Sequence, residues 1–186
     1  KTQRARQAGI RKYRILRKAG ARTEGLVKTG LVPAGKYGVS VTGISDSDLR
    51  SLRSKARKAA YTHTAGRSVT VDLALLGGES DPAYACNREP IFAWLRGMWD
   101  RVVPRQNMVR AFHAAMYAQR DGKRRWSTVQ GPAGAVVATL HRIGWVPENA
   151  IYWQTHVGRI HILSLCPASW VKLIDQATHL ALWKHV

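Results

Sequence analysis

Four kinds of residue in this chain could do chemistry: paired carboxylates, histidines, cysteines, and a dense set of arginines and lysines. The closest acidic pairs are Asp46/Asp48 and Glu79/Asp81. Two-metal phosphoryl chemistry needs clustered acids to hold both ions, and neither pair is adjacent. Both stand where helix starts and turns favour short carboxylates, so capping is their expected role. His156 and His161 bracket a predicted turn and could face each other across a hairpin. Two ligands do not close a metal site, so an ordinary cross-strand pair is the competing reading. His179 and His185 have no acidic or cysteine neighbour in sequence. Cys86 and Cys166 lie far apart with no Cys-x-x-Cys and read as small buried thiols of a reducing compartment. The chain has no phosphate-cradling Gly-x-x-x-x-Gly-Lys loop. Gly38–Thr42 misses the nucleophile elbow because Thr42 stands where the second glycine belongs. These residues point to no enzyme, no metal, no cofactor and no small-molecule substrate.

The basic residues carry the stronger signal. Of 186 residues, 30 are Lys or Arg and 11 are Asp or Glu, a formal net charge of +19. Residues 1–67 hold net +14 and residues 68–186 net +5. The first 22 residues carry Lys1, Arg4, Arg6, Arg11, Lys12, Arg14, Arg17, Lys18 and Arg22 with no acid. Such a field repels itself unless a polyanion neutralises it, and nucleic acid is the usual polyanion. A solvated tail and an Arg-rich targeting peptide are the other readings of this arm. Arg50, Arg53 and Arg57 repeat along one face of a predicted helix, either as solvated charges or as phosphate contacts. Lys123, Arg124 and Arg125 precede Trp126 in a polar loop. A ring beside cations suits stacking on an unpaired base; a tryptophan folded back onto the body is the alternative. Tyr13, inside the arm, raises the same question. The chain begins at Lys1 rather than Met, as a processed product or an internal piece of a longer protein would.

Around these residues, the pattern predicts a mainly α fold. Residues 1–22 form a basic arm with a thin apolar stripe at Ile10, Tyr13 and Leu16, and residues 23–186 a single mostly helical domain. Residues 24–43 are ambiguous: Leu26, Val27, Leu31 and Val32 suggest helix, Val39 and Val41 a short strand, and Pro33 and Gly35 interrupt both. The spacing of Leu49, Leu52, Ala56 and Ala59 predicts an amphipathic helix over 45–60. Residues 68–76 fit either a strand or the start of a buried helix. Asp81-Pro82 reads as a helix cap with a first-turn proline, and a helix is expected after Pro90. Further helices open at Pro104, Gly131-Pro132 and Pro167. Residues 151–153 and 160–163 flank a β-hairpin turn, placing one hairpin near 150–165. Tryptophans 94, 99, 145, 153, 170 and 183 fall on or beside apolar faces and should pack the core. No apolar run approaches the ~20 residues a bilayer requires.

Thr29–Gly38 (TGLVPAGKYG) followed by Ser45–Leu52 (SDSDLRSL) resembles the region after the catalytic palm of non-LTR retrotransposon reverse transcriptases, most closely those of the dinoflagellate type. Gly66-Arg67-Ser68, Asp81-Pro82-Ala83, Gly131-Pro132, Leu140–Trp145 and Cys166-Pro167-Ala168 look like later landmarks of the same region, so the resemblance runs from about residue 15 onward. It implies a helical, thumb-like and connecting segment that grips a nucleic-acid duplex, without the palm and its aspartates. Two functions follow. One is a non-catalytic RNA-binding structural subunit of a large ribonucleoprotein such as an organellar ribosome, partnered by ribosomal RNA and neighbouring proteins and not by membrane. The other is the thumb and connection of an active reverse transcriptase whose catalytic half lies elsewhere. The compartment would be mitochondrial in the first case and nuclear in the second; a DNA-binding factor is a third, weaker reading, since no recognition-helix or zinc signature is present.

Overall fold

A computed structural model of the chain describes residues 13, 15, 16, 18–21, 23–61, 65–122, 124–184 and 186, the side chain of Glu79 excepted. The fold is mainly α with a small antiparallel sheet. The described residues fall into two compact units. The first is built from the residues up to Tyr37 and from Asp46–Ala85, the second from Gly38–Ser45 and from Cys86 onward.

In the first unit, α1 (Glu24–Leu26), a π-helical stretch (Val27–Leu31) and α2 (Val32–Lys36) follow one another as helical turns. Pro33 does not interrupt them because it sits in the first turn of α2, where a missing N–H costs little. Val27, Leu31 and Val32 are buried. The helix α4 (Asp46–Ala60) buries Leu49, Leu52, Ala56 and Ala59, the face its periodicity predicts. Its acids Asp46 and Asp48 lie in the first turn and Arg57 and Lys58 in the last, both favourable to the helix dipole. Thr23 donates its hydroxyl to the carbonyl of Ala59.

The segment with two readings, 68–76, is helical: α5 spans Val69–Leu75. A strand would have set Val69, Val71, Leu73 and Leu75 on one face. The helix instead buries Thr70 and Leu73, three apart, and leaves Leu75 71% exposed. The helix expected after Pro90 begins earlier, as α6 (Pro82–Asp100). Asp81 starts it by accepting the Ala83 backbone N–H at 2.9 Å. Pro90 then lies inside the helix, a position that forfeits one main-chain bond. Burial of Ile91, Trp94, Leu95 and Met98 offsets that loss.

In the second unit, Val39 and Val41 belong to a short helix, α3 (Val39–Thr42), not a strand. It ends at Gly43, whose φ of +65° suits glycine, and a Cβ there would meet the Trp126 ring at 2.6 Å. The helices α7 (Arg105–Ala118) and α8 (Gly131–Arg142) open after Pro104 and at Gly131-Pro132 as the sequence indicates. Every residue of α8 from Ala133 to Leu140 is buried, which makes it the central helix of this unit. The hairpin is present, β2 (Tyr152–Thr155) pairing with β3 (Gly158–His161), and β1 (Val146–Pro147) adds a third strand in the order β1-β2-β3. The last helix, α9 (Pro167–Trp183), buries Trp170, Ile174 and Ala177. Trp145, Trp153 and Trp170 meet with ring centroids 5.7–6.5 Å apart, and Phe112 stacks on Trp153 at 6.2 Å. Trp94 joins this core, whereas Trp99 and Trp183 are exposed. No helix among the described residues is long and apolar enough to cross a membrane.

Candidate nucleic-acid interface

Of the basic arm, Arg4, Arg6, Arg11, Lys12, Arg14, Arg17 and Arg22 lie outside the described residues, as does Lys123 of the loop. Lys18 is helical and exposed. Tyr13 is half-buried, and its hydroxyl leaves so little room over the π-helical turn that a Cβ at Gly30 would fall 2.5 Å from it. Its ring is a packing element rather than a free stacking platform.

The three arginines of α4 separate into different roles. Arg50 is exposed. Arg53 is not a phosphate contact: its Nε and Nη2 grip both oxygens of Asp81 at 2.8–3.1 Å, and Nη2 also donates to Thr70 Oγ1 at 3.0 Å. The two side chains are 11% and 4% exposed, so this is a buried ion pair. Arg57 is half-buried and donates from Nη1 to the Arg67 carbonyl at 2.7 Å. The helical repeat shared by these arginines therefore does not form a single basic face. Arg53 lies next to the buried stripe, and the reach of its guanidinium lets it enter the interior once a carboxylate is there to meet it.

The 119–130 segment holds the other predicted contacts. Arg124 is exposed, in a left-handed conformation with φ +52°. Arg125 starts a short 3-10 turn (Arg125–Thr128) and is half-buried. Trp126 is folded onto the body. One face of its ring carries the Arg142 guanidinium at 4.1 Å from the centroid, a cation–π contact. Its edge lies against Gly43. Arg142 is fixed in turn by donating to Asn87 Oδ1 at 3.2 Å and to the Ile44 carbonyl. Any base stacking on Trp126 would have to use the opposite face. His141, next to Arg142, has its pKa lowered by burial and then by the Arg125 charge, both of which disfavour its charged form.

The remaining candidate groups have structural partners. His156 and His161 do not face each other, because His161 is paired with Tyr152 and His156 lies in the turn. His156 Nδ1 accepts the indole N–H of Trp145 at 3.2 Å, which puts the imidazole proton on Nε2. His161 sits edge-on to Tyr152 and accepts the Leu163 N–H. Cys86 is buried, as expected, but Cys166 is exposed. Pro167 starts α9 and holds Cys166 extended at the N-cap, outside the helix. The Cys166 thiol is pushed down from its ordinary pKa mainly by hydrogen bonding to Ser169. Among the described residues, no group of three or more His, Cys, Asp or Glu could hold a metal ion.

Sequence reasoning missed Arg142, whose only signal was its place at the end of a helix. It also missed the distribution of charge between the units. Beyond residue 22, the first unit carries eight basic residues against six acids, and the second thirteen against five. The nine basic residues of 1–22 also belong to the first unit, so dividing the chain by unit gives net +11 on the first and net +8 on the second. Compared with known protein families, with curated proteins and with solved structures, the chain finds no match.

Proposed function

We propose that this protein is a non-catalytic RNA-binding subunit of a large ribonucleoprotein, held to phosphates by its basic arm and by the loop between α7 and α8. The observation that carries the reading is that loop: four of the six residues from Arg120 to Arg125 are basic, and Arg120 and Arg124 are exposed to solvent. Phosphate contacts of this kind release counterions, so affinity falls with salt in proportion to the number of phosphates neutralised. Ribosomal RNA within a mitochondrial ribosome is the partner proposed for the thumb-like module that the sequence resembles. The retroelement reading shares the same backbone contacts and differs in the RNA that co-purifies.

The test is a salt titration of binding to a fluorescein-labelled RNA hairpin. Removing residues 1–22 should weaken binding and flatten the salt dependence. Arg120→Gln with Arg124→Gln should lower the log–log slope by about 1 for each phosphate that is no longer neutralised. Lys172→Gln, an exposed cation on α9, should leave it unchanged. Slopes that stay the same in the first two variants would remove the arm and the loop from the interface.

A further inference from the structure

Two adjoining hollows lie along α7 in the second unit. The first, about 420 Å³, is walled by Val41 of α3, Trp94 of α6, Val103, Met108 and Pro132. The second, about 500 Å³, runs past Ala114 and Ala118 toward Ser127 and Thr128. Both are lined by Ala111, Gln130 and Ala133, so they form one continuous groove. Its α7 wall, from Asn107 to Ala118, is about 16 Å long at a rise of 1.5 Å per residue. That length matches three turns of a helix.

The floor and the rim differ in character. At the first end, Val41 and Val103 remain 49% and 43% exposed, and Trp99 and Val102 meet water at the same α6–α7 corner. The alanines of α7 would let another backbone approach closely. Charge along the rim has one sign. Arg101 and Arg105 stand two residues to either side of Val103, and Arg110 precedes Ala111 on the exposed side of α7. Residues 101–120 contain no carboxylate, and the nearby Asp100 is taken by Arg96 at 3.1 Å. Arg105 is steadied by its Nε bond to the Met98 carbonyl at 3.3 Å. An RNA backbone would answer the rim but not the floor. In the first hollow Ser40, Asn107 and Gln130 are the polar side chains among mostly apolar walls, so a base edge would find few hydrogen bonds to replace the water it loses.

We propose that the α7 groove docks an acidic amphipathic helix of a partner protein. Its apolar stripe would lie on Val41, Trp94, Val103 and Met108, and its carboxylates would meet Arg101, Arg105 and Arg110. This is the helix-in-groove mode, in which anchors at i, i+3, i+4 and i+7 give affinity and flanking charges fix orientation. The surface uses none of the Arg120–Arg125 side chains assigned to RNA, although Ser127, Thr128 and Gln130 of the same connection line its far end.

The probe is a synthetic fluorescein-labelled helical peptide with leucines at that spacing and glutamates elsewhere, titrated into the full chain. The same peptide with lysine in place of glutamate is the comparison. The glutamate peptide should bind, and the lysine peptide should bind about tenfold more weakly or worse. Ala111→Glu and Arg110→Glu, both at exposed α7 positions, should each weaken the glutamate peptide about tenfold. Val41→Asp on the opposite wall gives the same reading should Ala111→Glu fail to fold. The RNA salt slope should remain that of the parent in all three. Equal binding of the two peptides, or binding indifferent to these variants, overturns the proposal. So does displacement of the peptide by the RNA hairpin, or a dimer of this chain that Ala111→Glu dissolves.

Discussion

The two units are held together by different forces. The first has no tryptophan at all; all seven lie in the second. The first relies on a modest aliphatic core and on buried acids that pair with arginines. Asp81 holds Arg53 inside, whereas the buried Asp72 carboxylate lies 2.6 Å from an Arg67 that remains 44% exposed. The second relies on stacked aromatic rings around α8 and leaves Arg101, Arg110, Arg120 and Arg124 exposed. An arginine that meets a carboxylate indoors helps to hold the fold together. An arginine left outside beside few acids adds to a binding field. The same residue type thus reports on stability where it is held inside, as at Arg53 and Arg142, and on recognition where it stands exposed, as at Arg50 and Arg124.

The sharpest way to break this contrast is to remove each unit's own support. Asp81→Ala leaves the Arg53 guanidinium buried without its partner and should cost about 3–5 kcal/mol. Trp153→Ala should cost about as much, roughly 3–5 kcal/mol, by opening a cavity among the rings. Because every tryptophan belongs to the second unit, urea unfolding followed by tryptophan fluorescence reports that unit alone, while far-ultraviolet circular dichroism reports both. Asp81→Ala should bring forward part of the circular dichroism change and move the fluorescence midpoint less than Trp153→Ala does, the residual shift coming through α6, which Asp81 starts. Trp153→Ala should move the fluorescence midpoint. Coincident transitions in both variants would show one cooperative body and erase the distinction.

A smaller effect is expected at His141. Its folded pKa lies below the ordinary value of 6.5, through burial first and Arg125 second. The unfolded chain therefore takes up a proton, as pH falls below about 6.5, that the folded chain refuses. Stability should fall through that window and level off below the folded value. Thermal melts at neutral and mildly acidic pH should show a smaller acid loss for His141→Gln than for the parent. Equal losses would mean that the burial of this ring has no energetic consequence.

The smallest effect concerns reactivity alone. Cys166 is exposed with its thiol pKa lowered by Ser169, whereas Cys86 is buried. Thiolate is the reactive form. Iodoacetamide at neutral pH should label Cys166 and spare Cys86 until the chain unfolds. Ser169→Ala should slow Cys166 labelling without shifting the melting temperature. Equal labelling of both cysteines in the folded chain would contradict the burial of Cys86.

The elements legible in the sequence were those with strong punctuation. Gly131-Pro132 and Pro167 mark helix starts because a first-turn proline fits there, and Pro104 marks one as the residue that caps α7. The hairpin was legible from two apolar runs around Gly158. Pro90 misled because the burial of its neighbours carried the helix through it. Residues 39–42 and 69–75 stayed open between strand and helix because alternating valines over a few positions suit either period; both are helical. Of the predicted contacts, Arg50 and Arg124 stand exposed, Arg53 is claimed by Asp81, and Trp126 is covered on one face by Arg142.

By itself the sequence determined the charge, the helical class, the aromatic core and most helix starts. These depend on composition and on neighbours within a few positions. Only the tertiary structure decided which arginines are outside. Asp81 lies 28 residues from Arg53 and Arg142 lies 16 from Trp126. Pairings at that range follow from which helices pack together, and no local pattern encodes them. The net charge of +19 was visible from the first count; that beyond residue 22 most of it falls in the tryptophan-rich unit was settled by packing.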